Sequence, residues 1–222
     1  MQLKTRVWDL PTRLFHWALA ACVAGLIASG YIGGAAMNWH FRLGYAVVAL
    51  LLFRLIWGFV GGRWSRFSSF IYSPASLWRY LRGRGELHHA VGHSPTGALS
   101  VFGLLLILLL QVTTGMLSDD AISFTGPLAP FAPGSWVDWS SSYHKNIGQL
   151  IVIALVVLHV LAIVFYKLVK KQALTSAMVT GNKMVAEPLV PSRDDAMSRV
   201  LALVIFGICA GAVAGFLQWT GA

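Results

Sequence analysis

Charge is the scarcest commodity in this 222-residue chain: only 11% of residues are charged, against 57% hydrophobic, and mean hydropathy is +0.68. Soluble domains carry about 25% charged residues, so a soluble globular fold is excluded. Cysteine is nearly absent, with Cys22 and Cys209 alone and both inside apolar runs. No disulfide framework is expected, and no C-x-x-C-H is present to attach a haem covalently. A Gly-rich phosphate loop and a cysteine cluster are also missing. Flavin, nickel or iron–sulfur chemistry would therefore have to reside on another chain. Acidic residues number 8 against 17 Lys and Arg, a net charge of +9. Positions, not the total, decide what that charge means, and they point away from nucleic acid.

Five continuous apolar stretches are long enough to span a bilayer: roughly 14–34, 40–60, 97–117, 144–166 and 200–219. Spans need about 20 apolar residues, and unbroken runs fit helices rather than the alternating strands of a barrel. The expectation is an all-α integral membrane protein. Residues 1–171 would form a four-helix transmembrane bundle, 172–198 a cytoplasmic linker and 199–222 an additional C-terminal transmembrane helix. The first run has polar contents and no clear cleavage site, so it reads as a retained helix.

Fourteen of the seventeen Lys and Arg fall on one side of these spans, at the N-terminus and in the second and fourth connections. Arg42 and Lys145 lie on the other side, with Asp119, Asp120 and Asp138, and Arg54 lies within a helix. The positive-inside bias puts the N-terminus in the cytoplasm and the C-terminus in the periplasm of a bacterial inner membrane. Trp17, Trp39, Trp57, Trp136 and Trp219 are near span ends, where interfacial anchors belong. Ser73–Leu81 is expected to form a short basic helix on the inner leaflet, and 118–143 an outer loop.

Four of the seven histidines fall within spans, where ionisable groups are costly and usually functional. His40 and His144 open helices two and four at the outer level, while His16 and His159 lie toward the inner level. His144 and His159 are about 22 Å apart along an ideal helix and about 60° apart around it. Pairing by depth gives two stacked bis-imidazole sites. Zinc prefers four ligands at one depth, whereas two imidazoles suit the axial positions of a six-coordinate haem. Gly44 and Gly148 follow His40 and His144 by one turn, where a flat macrocycle would approach the helix; small-residue helix packing is the alternative for each. Arg54 is about 21 Å deeper than His40 on nearly the same face, near the inner site, where a haem propionate would neutralise it. Arg42 is a similar candidate at the outer site, with snorkelling to headgroups as the alternative for both. His88, His89 and His93 read as interfacial residues, with a quinone head group a further option for His93.

The run from Val7 to Trp17, Phe53–Gly61, Gly92–Ala98, Asp119–Ile122 with Gly126–Leu128, His159–Lys170 and Ala177–Lys183 together resemble the prokaryotic cytochrome b561 family. That family includes the b-type cytochrome subunits of nickel–iron hydrogenases; it more often has Asn where Ser94 stands. The resemblance, over roughly 7–183, implies two non-covalent b haems, His16 and His159 holding the inner one and His40 and His144 the outer. It further implies electron transfer between ubiquinone or menaquinone and a redox partner, a periplasmic cytochrome or metalloenzyme. Some members instead oxidise superoxide and reduce ubiquinone. In the fifth helix Gly207, Gly211 and Gly215 recur every four residues, a face suited to the bundle, a partner or a second copy in a homo-oligomer. A transporter is the remaining alternative, and no repeated broken helices support it.

Overall fold

The computed structural model describes residues 3–85, 91–185 and 187–221. A short strand β1 (Leu3–Arg6) precedes helices α1 (Leu10–Ile32), α2 (Met37–Val60), α3 (Pro74–Leu81), α4 (Pro95–Met116), α5 (Gly134–Ser142), α6 (Gln149–Leu168) and α7 (Leu174–Thr180). Strand β2 (Asn182–Val185) and helix α8 (Ala196–Thr220) follow. Among the described residues, five helical segments are long and apolar enough to cross a membrane: Leu10–Ile32, Gly34–Val60, Pro95–Met116, Gly134–Leu168 and Ala196–Thr220. The all-α, multi-pass class read from the sequence holds, with one small antiparallel ribbon added.

Helix starts follow local chemistry. Asp9 Oδ1 accepts the Thr12 N–H at 2.8 Å ahead of α1. Ser73 Oγ accepts from Ser76 N at 3.2 Å and Ser94 Oγ from Gly97 N at 3.2 Å, each with proline next in line. Asp195 Oδ1 accepts from Ser198 N at 2.8 Å. Each cap satisfies one of the N–H groups that a helix start leaves without an intrahelical partner.

The chain divides into two compact units. The first comprises residues 1–16, 54–103 and 157–205. Here the region expected to be a plain linker is folded: β2 pairs with β1 in the register Leu3↔Val185 to Arg6↔Asn182. Gly181 ends α7 at φ 81°, a left-handed conformation that favours glycine. Its carbonyl accepts from Val7 N (2.8 Å) and Trp8 N (3.1 Å), and a Cβ would meet the Trp8 carbonyl. Val7, Trp8, Val91, Ala177 and Val185 form the core beside this ribbon. Asp194 accepts from Arg6 Nη1 (2.6 Å), Leu10 N (3.1 Å) and Arg199 Nε (3.0 Å).

Asp9 is fully buried. Besides Thr12 it accepts from Trp57 Nε1 (3.2 Å), Gly62 N (3.2 Å) and Ser65 Oγ (2.6 Å). Trp57 is therefore corrected from interfacial anchor to buried donor, 1% exposed, whereas Trp17, Trp39, Trp136 and Trp219 are exposed. A buried carboxylate needs its acceptor sites filled, and the indole fills one.

The second unit comprises residues 17–53, 104–156 and 206–222. Val23 of α1, Val47 and Leu51 of α2, Leu108 of α4 and Val152 of α6 interlock as its core. Many large apolar side chains elsewhere on the spans are exposed, Leu106, Leu150 and Ile208 among them, as lipid-facing positions require. The outer loop is shorter than expected, because α5 already occupies 134–142. A π-helical turn, Tyr143–Gly148, joins α5 to α6. His144 thus lies inside a continuous helical segment, and the wider turn breaks the regular 100° step used to count its azimuth. In α8, Phe206 packs edge-on against Phe53 (6.1 Å) and Trp219 stacks on Phe131 (5.1 Å). The Cβ positions of Gly207, Gly211 and Gly215 meet nothing within 4 Å.

Candidate haem-ligand sites

In the second unit the His40 and His144 ring centres are 6.1 Å apart with planes at 85°. His40 Nδ1 donates to the Leu26 carbonyl at 3.0 Å, and His144 Nδ1 donates to the Gln111 carbonyl at 2.9 Å. These bonds fix the tautomer and leave each Nε2 as the free donor pair, the usual second contact of a metal-binding imidazole. Gln111 also donates from Nε2 to the His144 carbonyl at 3.0 Å. The π turn and the Gln111 backbone together set the His144 ring.

A cavity of about 510 Å³ is lined by both histidines, Gly44, Val47, Leu108 and Lys145, among others. Cofactor pockets are commonly about 300–1,000 Å³. Gly44 lines this space, and a Cβ there would meet nothing within 4 Å. Gly148 is placed differently: a Cβ there would run into Gln111 Oε1 and the Tyr143 ring, so its smallness serves helix packing. Arg42 is exposed, its guanidinium 5.4 Å from the Trp39 ring centre, and it is outside the cavity lining. Asp119 and Asp120 organise their own loop. The Asp120 carboxyl accepts N–H bonds from Phe124, Ser123 and Ile122, which hold its pKa down at about 2.

In the first unit the His16 and His159 ring centres are 6.3 Å apart with planes at 48°. Axial bonds of about 2 Å, plus about 1.1 Å to each ring centre, require centres about 6.2 Å apart. Both pairs meet that spacing. Arg54 is 3% exposed, its guanidinium lies 4.7 Å from the Phe67 ring centre, and its Nη1 is buried without a hydrogen-bond partner. Gly58 makes this possible, because a Cβ there would collide with the Phe67 ring. A buried guanidinium with an open donor is what a haem carboxylate would complete.

His93 is not interfacial: its ring lies between Trp8 (4.7 Å) and Phe70 (4.3 Å). Burial, then the charges of Arg54, Lys183 and His16, push its pKa down to about 3, so it stays neutral. His88 and His89 lie outside the described residues. Sequence reasoning missed Gly115 and Gly30. A Cβ on Gly115 would sit 2.7 Å from His144 Cε1, and one on Gly30 3.4 Å from His40 Cε1. A glycine inside a helical run, as at Thr114-Gly115-Met116, was the available signal.

Among the described residues no group of three or more His, Cys, Asp or Glu gathers around one metal position. The donors come as imidazole pairs, which suit a macrocycle that supplies the other four ligands. The class so defined is a multi-pass α-helical membrane protein with paired-imidazole sites. The chain belongs to the prokaryotic cytochrome b561 family, whose model matches residues 7–181. It is thus a membrane b-type cytochrome, and such a protein carries haem b. It is 26% identical over 213 residues to the "Probable Ni/Fe-hydrogenase 1 B-type cytochrome subunit" of Escherichia coli K12, covering 79% of this chain and 88% of that one. The "Probable Ni/Fe-hydrogenase B-type cytochrome subunit" of Azotobacter chroococcum mcd 1 is 27% identical over 222 residues, covering 82% and 90%.

Proposed function

We propose that the chain holds two b haems, one between His40 and His144 and one between His16 and His159. It relays electrons across the bacterial inner membrane between the quinone pool and a redox partner on the periplasmic side. The observation that carries this reading is the ring spacing of 6.1 and 6.3 Å in the two pairs. When bound, each haem supplies a one-electron iron couple. The protein's part is to hold, tune and insulate. Nδ1–H bonds to Leu26 and Gln111 keep His40 and His144 oriented and more basic. Arg54, buried in the same unit as His16 and His159, supplies positive charge that would favour the reduced state of a haem held there. The apolar core around Val47 and Leu108 keeps water from the ligands.

The charge asymmetry along the sequence supports a cytoplasmic N-terminus and a periplasmic C-terminus. The hydrogenase subunit names of the relatives support a metalloenzyme partner, with ubiquinone or menaquinone at the other end. Superoxide oxidation gets less support. An anionic substrate needs positive steering, yet Arg42 lies outside the cavity lining and Lys145 shares that lining with Asp120. Proteoliposomes with quinol supplied from one side test the relay. Reduction of both haems, followed by reduction of an impermeant acceptor on the far side, is expected. Failure of quinol to reduce either haem would overturn it.

A further inference from the structure

We infer that His93 and Lys183 join Arg54 in a receptor for the carboxylates of the haem held between His16 and His159; this rests on the reading of that pair as haem ligands. Arg54 Nη1 and His93 Nδ1 are among the buried polar atoms of the first unit that have no hydrogen-bond partner, as is Arg13 Nε. Leaving such groups unpaired is costly, so two in one packed cluster point to a ligand. Continuous aromatic packing joins them: Arg54 lies on Phe67, Phe67 is 5.9 Å from Phe70, and Phe70 is 4.3 Å from the His93 ring. Lys183 of β2 extends to the Val91 carbonyl at 3.5 Å, two residues from His93. The charges of Arg54 and Lys183 and the His16 ring all act on His93.

Among the described residues, the carboxylate that acts on Arg54 is Asp9. Its oxygens already serve Thr12, Trp57, Gly62 and Ser65. The cluster therefore keeps one guanidinium donor, Arg54 Nη1, and one imidazole nitrogen, His93 Nδ1, without a partner, with the Lys183 ammonium near by. Haem b presents two carboxylates, the matching chemistry. Arg54 and Lys183 supply charge, and His93, fixed between Trp8 and Phe70, donates Nδ1–H.

Apoprotein produced under haem limitation and loaded with either free-acid haem or its dimethyl ester tests this, read by haem retention and by the midpoint potential of each haem. The wild type should hold the acid about tenfold or more better than the ester at one of its two sites, as expected for lost charge-assisted bonds. Arg54→Leu and His93→Phe should abolish that discrimination and lower one potential, leaving the other haem unchanged as a check on folding. Lys183→Met should lower the same potential. His93→Asn, which sets an amide N–H where Nδ1 stands, should restore the preference. Two retained haems with no acid–ester discrimination at either site would overturn the inference and leave the ligand assignment intact. Two retained haems in a His16→Ala, His159→Ala protein would instead overturn the assignment.

Discussion

Gly115→Ala is a one-carbon change whose consequence can be worked out from the structure. The added Cβ would sit 2.7 Å from His144 Cε1, 3.1 Å from Nδ1 and 3.4 Å from Nε2. Carbon–carbon contacts settle near 3.5–4.0 Å, so the imidazole must retreat by roughly 0.8 Å or α4 must shift. Its Nδ1–H bond to the Gln111 carbonyl, 2.9 Å long, cannot survive that retreat unchanged. Metal–ligand distances tolerate only about 0.2 Å. Overpacking of this kind costs about 1–3 kcal/mol, which corresponds to roughly 5- to 150-fold weaker haem binding. Pyridine haemochrome analysis of the detergent-purified variant should show the ratio falling from two haems per chain toward one. Gly44→Ala is the control for sterics, since its Cβ meets no protein atom; it should leave the fold intact and impair the same site only through the cavity. A Gly115→Ala protein with two haems of unaltered spectrum would refute the placement of His144 as a ligand.

Three other expectations follow from the hydrogen-bond networks. Asp9→Ala strips acceptors from Thr12, Trp57, Gly62 and Ser65 and should cost about 3–5 kcal/mol, measured as a lower melting temperature in detergent; Asp9→Asn should recover part of the loss. Burial pushes the Asp194 carboxyl up, but hydrogen bonds from Arg199 and Leu10 and the charges of Arg199 and Arg6 outweigh it and hold its pKa below the usual value. Its stabilising contribution is therefore present above the unfolded carboxylate range and is lost as pH falls through the lower folded value. Melting curves from neutral pH into that acid range should show the decline, and Asp194→Asn should flatten it. Gln111→Leu removes the bond to the His144 carbonyl, but it also removes a buried Oε1 with no partner. The two effects oppose, so haem affinity should change by about 1 kcal/mol or less, measured by titrating apoprotein.

Much of the fold was legible because lipid imposes one-dimensional rules. Span length and hydropathy located all five crossing helices, but the fourth, Gly134–Leu168, starts well before the expected 144 and the second, Gly34–Val60, before the expected 40. The histidines were conspicuous because ionisable groups are rare at such depths, and depth alone suggested the partners that the fold brings together. What stayed hidden depends on contacts distant in sequence. Nothing local marks Leu3–Arg6 as the partner of Asn182–Val185, so a folded ribbon read as a linker. Trp57 looked like an anchor because span ends attract tryptophan; its indole instead answers Asp9, 48 residues away. The π turn at His144 carries no periodicity signal. Gly148 and Gly115 show the same limit: both are small residues near His144, yet only the backbone geometry reveals which one makes room for the ring.

Low-temperature EPR of the oxidised protein, on a sample of known haem content, tests the central claim most directly. Two low-spin bis-imidazole haems per chain are expected, with different signals. Perpendicular axial rings leave the iron d orbitals nearly degenerate and the g tensor strongly anisotropic, which suits the 85° pair of His40 and His144. The 48° pair of His16 and His159 should be less anisotropic. His144→Ala should remove the first signal and His159→Ala the second. A single low-spin species at one haem per chain, or high-spin iron in the untreated protein, would contradict the account.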